Sequence, residues 1–202
     1  MRAVGMLRIT CLLGAAIILS ACGGGGGSSG NSGDAGHASP ALSQTARLGK
    51  LMFEDTALSA SGKQSCGTCH KATSGFTDPD QTPVSKGGPD MTLTGLRNAP
   101  TLFYANAVPS FHFEADGTPV GGQFRDGRVN SLAEQAALPF TNSFEMANSS
   151  AEEVVDRLKT RPYLNEFTAL YGADVLADAD QTLRLMANAI ATYENEDEEF
   201  HS

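Results

Sequence analysis

The apolar positions of the chain fall into helical stripes on either side of a long stretch without period. In SQTARLGKLMFEDTAL, residues 43–58, Leu48, Leu51 and Met52 share one face of a helix. Ser131 and Glu134 in NSLAEQAAL stand at the spacing of a capping box, and Ser150 and Glu153 repeat it ahead of Val154, Val155 and Leu158. Pro162 suits the first turn of a further short helix that buries Phe167 and Leu170, with Gly172 closing it. Leu183, Met186, Ile190 and Tyr193 form a last stripe. These stripes predict a helical core. Residues 73–130 are rich in Gly, Pro, Asp and Thr with no sustained period, which predicts long irregular connections of the kind that carry function.

The N-terminus has a different pattern. Arg2 and Arg8 lead into an apolar run from Ile9 to Leu19 that ends in small residues, the plan of a secretory signal and too short for a comfortable bilayer span. Its end, LSAC, resembles the bacterial lipobox, so residues 1–22 are expected to be a lipoprotein signal with Cys22 as the lipid anchor to the membrane. The glycine- and serine-rich residues 23–40 have almost nothing to bury and are expected to form a disordered leash, in which His37 is a solvated residue. Residues 41–202 then form the folded domain, placed in the bacterial cell envelope and facing the periplasm. The formal net charge of −9 argues against nucleic-acid binding, since a duplex binder needs a basic face. An acidic surface favours a basic protein partner by steering.

Cysteine arithmetic narrows the chemistry. With Cys11 and Cys22 in the leader, the domain owns only Cys66 and Cys69, in KQSCGTCHKA. A structural zinc site needs four ligands, and the sequence has no second CxxC or paired histidines to complete one. A thioredoxin-like dithiol belongs after a strand, whereas here a helix precedes the motif. CxxCH instead fits covalent haem: the thiols of Cys66 and Cys69 add to the two vinyl groups, and the same turn carries His70 to the iron as axial ligand. An electron-transfer cytochrome would add a sixth ligand, for which Met91, Met146 and Met186 are candidates. An enzyme would leave the iron open and place acid-base groups beside it.

LGKLMFEDTALSASGKQSCGTCH, GLRNAPTL and DGRVNSLAEQAALPFTNSFEM stand in the order of the blocks of the N-terminal half of bacterial dihaem cytochrome c peroxidases, the family that includes MauG, and the chain resembles that half from about Leu48 to Met146 and more weakly through the helices to Glu199. The resemblance implies a mainly α, cytochrome c-like helical haem domain with long irregular loops, carrying the peroxidatic haem. It implies a distal pair of Gln135 and Glu145, a distal-pocket proline at Pro139, and Asn98 as a ligand of a calcium ion. It also implies hydrogen peroxide as substrate, reduced cytochrome c or a cupredoxin as donor, and a second haem c in the C-terminal half.

Three positions depart from the family's pattern. No histidine lies between His70 and His112, so the usual resting cap is missing and the pocket is expected to be open, as in the MauG-like branch; His112 is expected to be a loop residue. Arg125 stands where the family usually has tryptophan, and the chain has no tryptophan at all, which puts the usual electron route in question. The sequence reaches Ser202 before the second CxxCH, so we expect a fragment of a longer protein or a truncated gene product, ending in an acidic, solvated helix end. The expected function is peroxide reduction; the alternatives are a monohaem electron carrier and a MauG-like oxidase of a protein side chain.

Overall fold

The computed structural model describes residues 41–80 and 82–201. The expected signal, the Cys22 anchor and the leash lie outside the described residues. The described part is mainly helical. Helix α1 spans Gln44–Glu54, α2 Cys66–Cys69, α3 Leu132–Thr141, α4 Ala151–Leu158, α5 Leu164–Tyr171 and α6 Ala179–Glu196. Between α2 and α3 lie two short antiparallel hairpins, β1 (Lys86–Gly87) with β2 (Leu93–Thr94) and β3 (His112–Phe113) with β4 (Pro119–Val120). Strands of two residues leave no periodic trace, which is why the sequence reads there as irregular.

The caps follow the sequence. Ser131 accepts from the Glu134 N–H and Ser150 from the Glu153 N–H, while each glutamate accepts in return from the N–H of the residue before the cap, Asn130 and Ser149. Helix α5 begins at Leu164, with Pro162 in the turn ahead of it rather than in its first turn. Gly172 closes α5 in a positive-φ conformation and donates its N–H to the Thr168 carbonyl.

Helix α6 is the hub, packed against α1, α3 and α4. Its buried face presents Met186, Ala187, Ala189, Ile190 and Tyr193. Facing it, α1 buries Ala46, Leu48, Gly49, Met52 and Phe53. Leu51 is 45% exposed and not part of that face; the inward arc of α1 runs through Gly49 and Phe53 instead, because a glycine is what lets the helices meet. A Cβ on Gly49 would lie 1.9 Å from the Ala189 carbonyl oxygen. Ser43 and Lys50 tie the same helix to Glu196 and Asp197 at the far end of α6.

Gly49→Ala is therefore expected to destabilise the fold. Alanine improves helix propensity by about 1 kcal/mol, but overpacking a close backbone crossing costs about 1–3 kcal/mol, and the 1.9 Å contact leaves no room without moving a helix. Urea unfolding should show a lower midpoint at similar slope; an unchanged or higher midpoint would refute the crossing.

Candidate haem site

Helix α2 is a single turn between Ser65 and His70. It sets the Cys66 and Cys69 thiols, both free, and the His70 ring on the wall of one cavity of about 550 Å³. That volume lies within the about 300–1,000 Å³ usual for ligand and cofactor sites. The apolar wall includes Phe53, Leu102, Leu132, Ala136 and Ile190, and the rim carries Arg97, Arg125 and Arg128. Burial pushes both thiols up, Cys69 to about 11, so they rest as thiols. Burial also lowers His70, against the opposing pull of the Phe76 and Pro100 carbonyls and Asp78. The His70 Nδ1 lies 3.0 Å from the Phe76 carbonyl oxygen, which can only accept, so Nδ1 carries the proton and Nε2 keeps its lone pair. Two free thiols and a neutral imidazole, on one turn beside an apolar cavity, fit a covalent haem.

The same cavity is lined by Gln135, Pro139, Glu145 and Asn98. Helix α3 supplies the first two. Pro139 has no N–H to give the Gln135 carbonyl four residues earlier, so α3 lacks one backbone hydrogen bond at Gln135 while it continues to Thr141. Glu145 sits beyond the end of α3 in a segment pinned at its backbone. Its N–H donates to Asn142, its carbonyl accepts from the Gly88 N–H and the Gln64 side chain, and the neighbouring Met146 N–H donates to the Pro139 carbonyl. β1 runs so close to this segment that a Cβ on Gly87 would lie 2.2 Å from the Phe144 carbonyl oxygen. Burial raises the Glu145 carboxyl above the usual glutamate range, with the Asn142 amide and the Arg128 charge pulling the other way. Asn98 turns its amide N–H₂ to the Thr82 carbonyl at 2.7 Å.

The other named residues divide. Met146 is buried and lines the cavity, whereas Met91 sits in the β1–β2 turn and Met186 in the helical core. His112 is exposed on β3, where it bonds Ser110 and Glu114, and it does not line the cavity. Arg125 borders the cavity beside Phe124, whose ring lies 3.7 Å from the Arg128 guanidinium.

Sequence reasoning missed two residues. Gln64, buried in front of the motif, bonds the carbonyls of Glu145 and Gly88. A lone glutamine gives no periodic or motif signal. Glu194 lies in the C-terminal acidic stretch expected to be solvated, yet it is 4% exposed and lines the cavity. Only its phase on α6, one residue after Tyr193 and four after Ile190, carries a hint.

The chain resembles known proteins over the same region. The family described as di-haem cytochrome c peroxidase matches residues 43–202. The methylamine utilization protein MauG of Paracoccus denitrificans is 40% identical over 193 residues, covering 94% of this chain and 47% of that protein. The cytochrome c551 peroxidase of Pseudomonas aeruginosa is 37% identical over 156 residues, covering 77% of this chain and 39% of that protein. Among solved structures, the diheme peroxidase BthA from Burkholderia thailandensis superposes with a TM-score of 0.71 at 31% identity, over 78% of this chain and 39% of that one. The fold is thus cytochrome c-like. The chain spans less than half the length of these relatives.

Replacing Gln64 by leucine should leave buried carbonyls short of a donor and lower stability by about 1–3 kcal/mol. The Gly88 amide, which bonds the same Glu145 carbonyl, should exchange faster with solvent. Unchanged exchange at Gly88 would mean that Gln64 does not pin this segment.

Proposed function

The chain belongs to the di-haem cytochrome c peroxidase and MauG family, and from that premise we propose that it binds one covalent haem c and forms the peroxide-reactive half of a two-haem peroxidase. The observation that carries this reading is the meeting of Cys66, Cys69, His70, Gln135 and Glu145 on one cavity. Cys66 and Cys69 would tether the haem and His70 would ligate its iron, and the haem would supply the redox chemistry that cleaves the peroxide O–O bond. Gln135 orients hydrogen peroxide by hydrogen bonding. The Glu145 carboxylate accepts the proton of the inner peroxide oxygen and returns it to the outer one, which leaves as water. Pro139 shapes the pocket by leaving the Gln135 carbonyl without its helical N–H partner.

Overall, hydrogen peroxide takes up two electrons and two protons and gives two waters. Reduced cytochrome c or a cupredoxin would supply the electrons, and a second haem c outside this chain would hold the second electron. Asn98, with its amide nitrogen turned to Thr82, offers its oxygen to a hard cation such as calcium. The working place is the periplasmic side of a bacterial envelope, with Cys22 as the lipid anchor; among the described residues no helix is long and apolar enough to cross a membrane.

Two specific observations favour other readings. Met146 lines the cavity and offers a sixth ligand, as a monohaem electron carrier requires. A high-spin ferric spectrum supports the peroxidase, and a low-spin methionine-ligated one the carrier. The 40% identity to MauG favours oxidation of a protein side chain at the same site. Analysis of products, water from peroxide with donor oxidation against a modified protein side chain, separates the two.

Haem in the matured chain should survive acid-acetone extraction; haem that extracts freely would remove the thioether tethers and the reading with them. With haem in place, Glu145→Gln should slow the reaction with peroxide by about 100- to 10,000-fold while haem attachment survives. Since Glu145 must be ionised to accept a proton and burial raises it, the wild-type rate should fall as pH drops through a value above 4.5. That acid limb should be missing in the variant. A wild-type rate in Glu145→Gln would show that Glu145 is not the proton carrier.

A further inference from the structure

Glu194 has no part in the chemistry above. It lies in the last turns of α6, 4% exposed, on the same cavity wall as Cys66, Phe53 and Ile190. Its Oε2 is buried with no hydrogen-bond partner. An ionised carboxylate in such a place is expensive, and nothing nearby repays the loss of water. Burial alone pushes Glu194 up to about 8. From α2 it is faced by the Cys66 thiol, and at the end of α1 the Glu54 carboxylate lies against Gly67. Lys50 of α1 is taken by Asp197. The other charged groups of the cavity, Lys86, Arg97, Arg125, Asp126, Arg128 and Glu145, do not offset the burial. On α3, Glu134 caps its own helix, and on α4 Glu153 is paired with Arg157.

A cavity wall with one uncompensated acid is sensitive to any charge added inside it. We propose that Glu194 is the proton-uptake site of the haem cavity, gaining a proton when the iron gains an electron. This rests on the haem reading of the cavity. One electron from a reduced redox protein, or from an electrode, takes the iron from ferric to ferrous. One proton from solvent converts the Glu194 carboxylate to the neutral acid, no other bond changes, and re-oxidation releases both. The added negative charge makes ionised Glu194 costlier, so the reduced domain holds the proton to higher pH than the oxidised one. Below both titrations each redox state is protonated, above both neither is, and only between them does the potential fall as pH rises.

The test is the midpoint potential of the haem-loaded chain across a pH range centred near 8, with infrared difference spectra on reduction. In the wild type the potential should fall between the two titrations at a slope approaching about 59 mV per pH unit, the tenfold-per-tenfold limit for one electron and one proton. The reduced state should gain the C=O band of a protonated carboxyl. Glu194→Gln, neutral and of the same shape, should lose both the slope and the band. A flat wild-type potential, or a slope and band that persist in Glu194→Gln, would overturn the proposal. Should Glu194→Gln fail to fold, the wild type decides: absence of the carboxyl band on reduction overturns it, and its loss in Glu194→Asp or movement to another frequency there supports it. A chain without thioether haem overturns the underlying haem reading, which the absorbance spectrum reveals before any potential is measured.

Discussion

The close approach of α1 to α6 at Gly49 is the constraint on which the rest of the domain depends. It is a backbone-to-backbone contact, and it sets two things at once. Helix α1 leads through a short 3₁₀ turn into the CxxCH turn, so its position fixes where the thiols and His70 stand. Helix α6 carries Ile190 and Glu194, so its position fixes the part of the wall that they line. The placing of both sets of lining residues thus follows from a missing side chain at Gly49. The polar ties of Ser43 to Glu196 and of Lys50 to Asp197 hold the same pair of helices together at the surface. Such exposed ties contribute little energy individually, typically about 0–1 kcal/mol. The crossing itself rests on packing.

A second chain of contacts links α6 to the proposed axial ligand. His70 is oriented by the Phe76 carbonyl. The Phe76 ring stacks on Phe200 at 4.2 Å, and Phe200 meets Phe53 and Tyr193 edge-on. The Phe200 carbonyl in turn accepts from the Tyr104 N–H in the loop that follows the NAP stretch. Imidazole orientation is therefore set by aromatic packing contributed from α1, from α6 and from the short turn after it. That arrangement restricts ring rotation in a way a single hydrogen bond would not, and neutral imidazole held in one tautomer is the form a metal can use.

Much of this was legible in the sequence, for reasons that differ by element. The capped helices α3 and α4 announced themselves because their caps are local, three residues apart, and independent of tertiary context. The CxxCH turn did so because its chemistry requires fixed spacing. Leu51 misled because helical spacing alone cannot say which neighbouring arc turns inward; the close approach at Gly49 decides that, and a glycine has no side chain to signal it. Gln64 and Glu194 were silent for a related reason. Their roles come from partners 81 residues away in one case and from the absence of partners in the other, and neither leaves a local pattern. The acidic run around Glu194 read as a solvated helix end, and for Glu196, hydrogen-bonded at the surface to Ser43, that reading holds.

The cavity contains two acids of the same residue type in contrasting surroundings. Glu145 is raised by burial, but the Asn142 amide and the Arg128 charge both favour its ionised form. Glu194 is raised by burial with nothing opposing it. Environments that separate like groups are how one site obtains a proton acceptor and a proton holder at the same pH. Glu145 lies in a segment whose backbone is fixed by Gln64, Gly88 and Pro139, which suits the short proton transfer proposed for it. Glu194 sits on a buried face of α6, and nothing beside it offsets the burial of its carboxyl. The division follows from where the arginines stand: Arg128 is within electrostatic reach of Glu145, while no cation offsets the burial of Glu194, and that asymmetry of charge across one cavity is the basis of the different roles proposed for the two carboxyls.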